Sequence, residues 1–151
     1  MNIVAVDPHA RVLSQEEVVA LLQEPLLLRL GMVDEGGWPL VHPVWHLFEG
    51  GVFRLLVGRM SHKAKVLRAN QRAYFTVDTT AGEHARGVRG RANVRVVDGD
   101  VGQAVDVCRK ELLKYTRTDT GSFAEEMLKW AGSGDMSVVE LTPLRFGAFR
   151  Y

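Results

Sequence analysis

Between Glu49 and Asp78 the chain carries six cations, Arg54, Arg59, Lys63, Lys65, Arg68 and Arg72, and no acid. The formal net charge of the whole chain is only +1, with 19 Lys and Arg against 18 Asp and Glu. The 13 basic residues left outside the stretch face all 18 acids, a balance of −5, so the basic block is local. Its centre is Ser61, a good N-cap, followed by a short helical pattern to about Asn70. Lys63 and Lys65 fall in its first turns, where the helix dipole disfavours cations. Free backbone N–H groups, a hydroxyl and uncompensated ammonium groups together suit a bound anion, most simply a phosphate. The other reading of such a stretch is a solvated basic face. A nucleic-acid surface fits less well, because the pI is near 8.0 and the nearby aromatics, Phe53 and Tyr74-Phe75, lie in strand patterns.

Other reactive side chains lack a chemical pattern. His42 and His46 are four apart, but Pro43 between them marks a strand, in which they stand about 13 Å apart. That spacing argues against a shared metal, and no metal site is expected. The paired carboxylates Glu16-Glu17 and Glu125-Glu126 sit in helix first turns, where they serve the dipole. The single cysteine, Cys108, lies on an apolar stripe with Val101, Ala104, Val105, Leu112 and Tyr115, which predicts a buried structural thiol. No phosphate-loop, dinucleotide or nucleophile-elbow motif occurs.

The elements that must position the basic helix are mostly strands. Ser14 to Glu17 forms a capping box before a helix that Pro25 ends. Leu26 to Val33, Trp38 to Phe48 and Val52 to Val57 read as a three-strand meander, its turns at Asp34 to Gly37 and at Glu49-Gly50-Gly51. After the basic helix come strands at Ala73 to Asp78 and Val88 to Val97, the second alternating apolar with polar. A helix from Val101 to Thr116, a second opening with a capping box at Ser122 and Glu125, and two short strands around Pro143 complete the chain. Antiparallel strands with inserted helices predict a mainly β, α+β fold, a small barrel decorated by helices. At 151 residues, 46% of them hydrophobic, the chain predicts a single domain over residues 1–151. No apolar run of membrane-spanning length occurs, the first residues lack a signal-peptide pattern, and one cysteine gives no disulfide framework. These features predict a cytoplasmic protein with no membrane partner.

Three motifs carry a resemblance. Pro39-Leu40-Val41-His42-Pro43-Val44-Trp45, the helix Ser61-His62-Lys63-Ala64-Lys65-Val66-Leu67-Arg68-Ala69-Asn70, and Val88-Arg89-Gly90-Arg91-Ala92-Asn93-Val94 with its Gly-x-Ala signature stand in order over about Leu26 to Asp98. In this the chain resembles the pyridoxamine-phosphate-oxidase-like split-barrel flavoproteins, and among them the short flavin/deazaflavin oxidoreductases. The resemblance implies an FMN-binding split β-barrel. It implies that Lys63, Arg59 and Ser61 hold the phosphate of FMN, while Val44, Trp45, Val57 and Gly58 flank its ring and ribityl chain. It further implies a homodimer with the cofactor at the interface, and an oxidoreductase passing hydride or electrons to a small substrate. A deazaflavin coenzyme, with its acidic tail near Arg86, Arg89 and Arg91, and a non-catalytic flavin- or haem-binding module are the alternatives on the same scaffold. Gln71 stands where the family has Pro, and the Arg-rich C-terminal motif of vitamin B6 oxidases is missing, so B6 oxidation is not expected.

Overall fold

A computed structural model describes residues 1–151. Its elements are β1 (Ile3–Val4), α1 (Gln15–Gln23), β2 (Leu28–Val33), β3 (Pro39–Val44), β4 (Leu47–Glu49), β5 (Val52–Gly58), α2 (His62–Ala69), β6 (Arg72–Thr79), β7 (Arg86–Val97), α3 (Val101–Thr116), α4 (Ser122–Gly132), β8 (Met136–Pro143) and β9 (Phe146–Arg150). The main sheet runs β3-β2-β6-β7-β8-β5-β4, and β9 pairs with both β7 and β1. Every pairing is antiparallel except the short parallel β1–β9 contact. The result is the α+β split barrel expected from the sequence. Strand β1 has no strong local signal and is held by its register with Phe146 and Gly147.

The predicted meander is corrected in one place. Strands β3 and β4 stand at opposite ends of the sheet path, although only Trp45 and His46 separate them. The chain leaves one edge and enters the other there, so this dipeptide bridges the split of the barrel. Side chains from α3 stabilise the break. The Tyr115 hydroxyl accepts the His46 backbone N–H at 3.1 Å, and Lys114 donates to the His46 carbonyl at 2.9 Å. Those groups replace the ladder partners that a continuous strand would have given.

The barrel interior is one cluster of 25 buried residues, in which Phe53 packs on Phe75 with centroids 4.9 Å apart and Phe75 on Phe146 at 5.6 Å. Helix α2 contributes Ala64, Val66 and Leu67 to this core, so its polar face is the one left to solvent. Helices α3 and α4 pack outside β5 and β8 through two smaller clusters, one of which buries Cys108 with Leu112, Ala124 and Ala131. The Gly-x-Ala signature of β7 has a steric reason. A Cβ on Gly90 would stand 2.2 Å from the Arg145 carbonyl oxygen and about 3.1 Å from the Phe75 ring. The predicted capping box of α4 does not form. Gly121, at φ 95°, is the N-cap, the helix starts at Ser122, and no side chain caps it. No helix is long and apolar enough to cross a membrane.

Candidate functional site

Strand β5 ends at Gly58, and a tight turn through Arg59 and Met60 delivers the chain to α2. The Ser61 N–H donates to the Gly58 carbonyl at 3.0 Å and the Arg59 N–H to the Asp135 carbonyl at 2.7 Å. Ser61 is the N-cap, and its hydroxyl oxygen accepts from the Ala64 N–H at 3.2 Å. Its hydroxyl hydrogen remains free to donate. The N–H groups of Met60, His62 and Lys63 take no protein partner, so three main-chain donors are unpaired at the helix start.

The first turn of α2 contains no acid. Lys63 is part-buried, and burial alone pushes its ammonium below the usual lysine range, with no carboxylate to offset it. His42, from β3, lies beside it. Burial lowers the His42 pKa first, and the neighbouring Lys63 and His62 lower it further. Lys63, His42 and His62 thus stand within electrostatic reach of one another near three free N–H groups, with no acid in the first turn of α2 to compensate them. A doubly charged phosphate answers each of those deficits. Sequence reasoning placed Lys63 and Ser61 here but missed His62 and set His42 aside. The register that pairs His42 with Leu30 and turns it toward α2 is a tertiary property.

Two of the six cations in the basic block are compensated, a correction to the expected field. Arg68 meets Asp98 through two hydrogen bonds, of 3.2 and 2.7 Å, and Arg54 lies 3.6 Å from Glu140 and 3.8 Å from Glu49. Arg59 and Lys65 are exposed, and Lys63 is the part-buried cation of the set without a partner. Of the residues assigned to the ring, Val44 and Val57 turn their side chains into the core, leaving only main chain for a ligand. Gly58 has open space. A Cβ there would meet only Ser61 Cβ at 3.7 Å and the Trp130 ring at 4.0 Å. Trp45 stacks face to face on Tyr115, centroids 4.8 Å apart and 3° from parallel, with its edge toward Phe123. Its ring is therefore engaged with α3 and α4 rather than standing free.

Behind Trp45 lies a buried polar group that the sequence did not reveal. His46 is fully buried. Lys114 Nζ sits 3.2 Å from its Nε2 and the Tyr115 hydroxyl 3.0 Å from its Nδ1. Lys114 spends its other two protons on the carbonyls of Leu22 and His46, and Tyr115 donates to the Leu26 carbonyl. Every donor is satisfied if His46 is neutral with its proton on Nδ1, which fits a pKa pushed down to about 3 by burial and by Lys114. Glu111, one turn earlier on α3, is pushed up to about 8 by burial, so its carboxyl is protonated at neutral pH. A signal for this group existed only as a helical spacing of three and four on an apolar face.

Comparison with known families and folds agrees with this architecture. The family model described as pyridoxamine 5'-phosphate oxidase matches residues 14–149. Among solved structures, a conserved hypothetical protein of Mycobacterium tuberculosis superposes with a TM-score of 0.80 at 18% identity, covering 95% of this chain and 88% of the other. An F420 reductase gives 0.68 at 22% identity over 88% and 98%. A FAD-binding protein of Mesorhizobium loti gives 0.69 at 18% identity over 95% and 99%. Comparison with curated proteins yields no match. The structural likenesses establish the fold, while the family model runs from α1 into β9 and includes the whole basic turn. This chain belongs to the pyridoxamine 5'-phosphate oxidase family.

Proposed function

We propose that the protein is a flavin-dependent oxidoreductase that binds FMN with its phosphate against the start of α2. One observation carries the reading: Lys63 is part-buried without a counter-charge, beside the unpaired N–H groups of Met60, His62 and Lys63 itself. The residues present fit the group. Lys63 would supply the ammonium, Ser61 the hydroxyl, the turn its amides, and Arg59 a second, exposed charge. The open side of Gly58 would let a flat ring approach main chain. FMN, once bound, supplies the acceptance and return of hydride; the protein anchors, orients and shields it. The F420 reductase and the FAD-binding protein share the fold, which is consistent with a flavin-type cofactor here.

The reading includes a homodimer. The outer face of β3, β2 and β6 exposes Val33, Val41 and Tyr74 around a groove of about 690 Å³, and Trp38, next in the chain to Pro39 of its lining, is exposed as well. A contiguous apolar face of this kind calls for a cover, and a second copy related by two-fold symmetry is the simplest one. The deazaflavin alternative keeps Arg89 and Arg91, both exposed, as cations for an acidic tail. It loses Arg86, which Glu24 holds through two bonds of 2.7 and 2.9 Å.

The test is a titration of cofactor-free protein with FMN, riboflavin and deazaflavin coenzyme, followed by fluorescence. FMN should quench saturably, and Lys63→Ala should cost about 1.5–3 kcal/mol of FMN affinity while leaving riboflavin unchanged. Equal losses for FMN and riboflavin would remove the phosphate from α2. Tight binding of the deazaflavin coenzyme alone would transfer the assignment to it. A bound flavin whose reoxidation never saturates with any acceptor would make the protein a carrier.

A further inference from the structure

The carbonyl of Arg59, in the turn before α2, accepts a hydrogen bond of 2.9 Å from Arg68 Nη2. Arg68 lies in the last turn of the same helix, nine residues later, and reaches back along it. Its guanidinium also donates to both carboxylate oxygens of Asp98, just beyond β7, at 3.2 and 2.7 Å. Asp98 in turn accepts from the hydroxyl of Ser137, a fully buried residue of β8. Ser137 is in register with Val57, the residue before Gly58. Arg68 and Ser137 hold the Asp98 carboxyl below the usual range, so the clamp stays ionised. The path closes on itself: turn, helix end, carboxylate, buried hydroxyl, strand and turn again.

This brace has a directional consequence. All peptide bonds here are trans, so the C=O of Arg59 and the N–H of Met60 point in opposite directions. With the carbonyl drawn toward Arg68, the Met60 N–H is turned away from that guanidinium and has no protein acceptor. A turn free to rotate would instead show an anion a carbonyl lone pair. Arg68 itself is spent on Arg59 and Asp98.

We propose that Arg68 is a positioning residue for a phosphate group at the start of α2: clamped by Asp98 and Ser137, it holds the Arg59–Met60 peptide with its N–H toward the anion. The inference rests on the phosphate reading above, but its geometry belongs to the cofactor-free turn. Preorganising donors that would otherwise have to be ordered on binding raises affinity without adding a contact.

Arg68→Ala and Asp98→Ala test it, with FMN and riboflavin binding as one measurement. Hydrogen exchange of the Arg59 and Ser61 amides in cofactor-free protein is the other. Both variants should weaken FMN about tenfold, the loss of one aligned charge-assisted hydrogen bond, and leave riboflavin within about twofold. Both should speed exchange at Arg59 and Ser61 while thermal unfolding stays cooperative. Asp98→Ala is the decisive arm, because deleting a negative charge near Arg59 would tighten an anion if charge alone mattered. Tighter FMN binding by Asp98→Ala, or unaltered exchange in both variants, overturns the brace. Equal weakening of FMN and riboflavin makes Arg68 merely structural and overturns it as well. A wild type that binds no FMN sinks the cofactor assignment, and the exchange measurement still decides whether Arg68 orders the turn.

Discussion

His46 should make the stability of this protein depend on pH in a way one substitution can isolate. In the folded protein its pKa lies near 3, against 6.5 for an ordinary histidine, chiefly because its ring is fully buried and secondarily because Lys114 faces it. Between those two values the unfolded chain binds a proton that the folded chain refuses. His46 therefore contributes stability that is fully present above pH 6.5 and is lost progressively as pH falls toward 3. At 1.36 kcal/mol per pH unit, the whole window is worth at most about 5 kcal/mol, and the interval from pH 6.5 to 4.5 about 3 kcal/mol. Glu111 works in the opposite sense. Its carboxyl is raised from 4.5 to about 8, so its contribution is present below pH 4.5 and lost as pH rises through 8. The two slopes oppose each other between pH 4.5 and 6.5, so the wild-type profile alone isolates neither group. The informative quantity is the difference in urea-unfolding free energy between wild type and His46→Gln, taken at both pH values. At pH 6.5 the substitution should cost about 2–3 kcal/mol, since Lys114 and Tyr115 lose buried partners. At pH 4.5 the cost should fall to near zero. The same cost at both values would refute the neutral, buried assignment of the ring.

Gly58→Val should leave the fold intact and abolish cofactor binding, because a Cβ there meets only ordinary contacts at 3.7 and 4.0 Å; retained FMN quenching would move the ring elsewhere. Gly90→Ala should lower the unfolding free energy by about 3 kcal/mol or more, because its Cβ would collide with the Arg145 carbonyl; a change below about 1 kcal/mol in urea unfolding would mean that the turn between β8 and β9 can shift aside. Sedimentation at micromolar concentration should give about twice the 16.8 kDa chain mass. A monomer that still binds FMN would show that one chain completes the site.

Local rules carried the elements a long way. The N-cap at Ser61, the capping box of Ser14 and Glu17, the full span of α3 and the alternating face of β7 were all legible, because each depends on side chains a few residues apart. The Ser122 box failed for the same reason in reverse. A residue able to cap was present, but Gly121, with its positive φ, let the helix begin at Ser122 itself, one residue earlier than the motif requires.

The sequence by itself determined the barrel class and the family through three motifs, and it located a phosphate-sized concentration of positive charge at Ser61 to Lys65. Periodicity, capping and local charge density are short-range quantities, and a single chain displays them directly. Only the tertiary structure decided which of those charges are free. Asp98 is 30 residues from Arg68 in the chain, and Glu140 is far from Arg54, so their neutralisation depends on long-range register. The same holds for His42 beside Lys63, for the strand break at Trp45-His46 and for the Lys114–His46–Tyr115 group beneath it. Those contacts join segments whose closure entropy is met by the barrel core as a whole, so no local window of sequence can encode them.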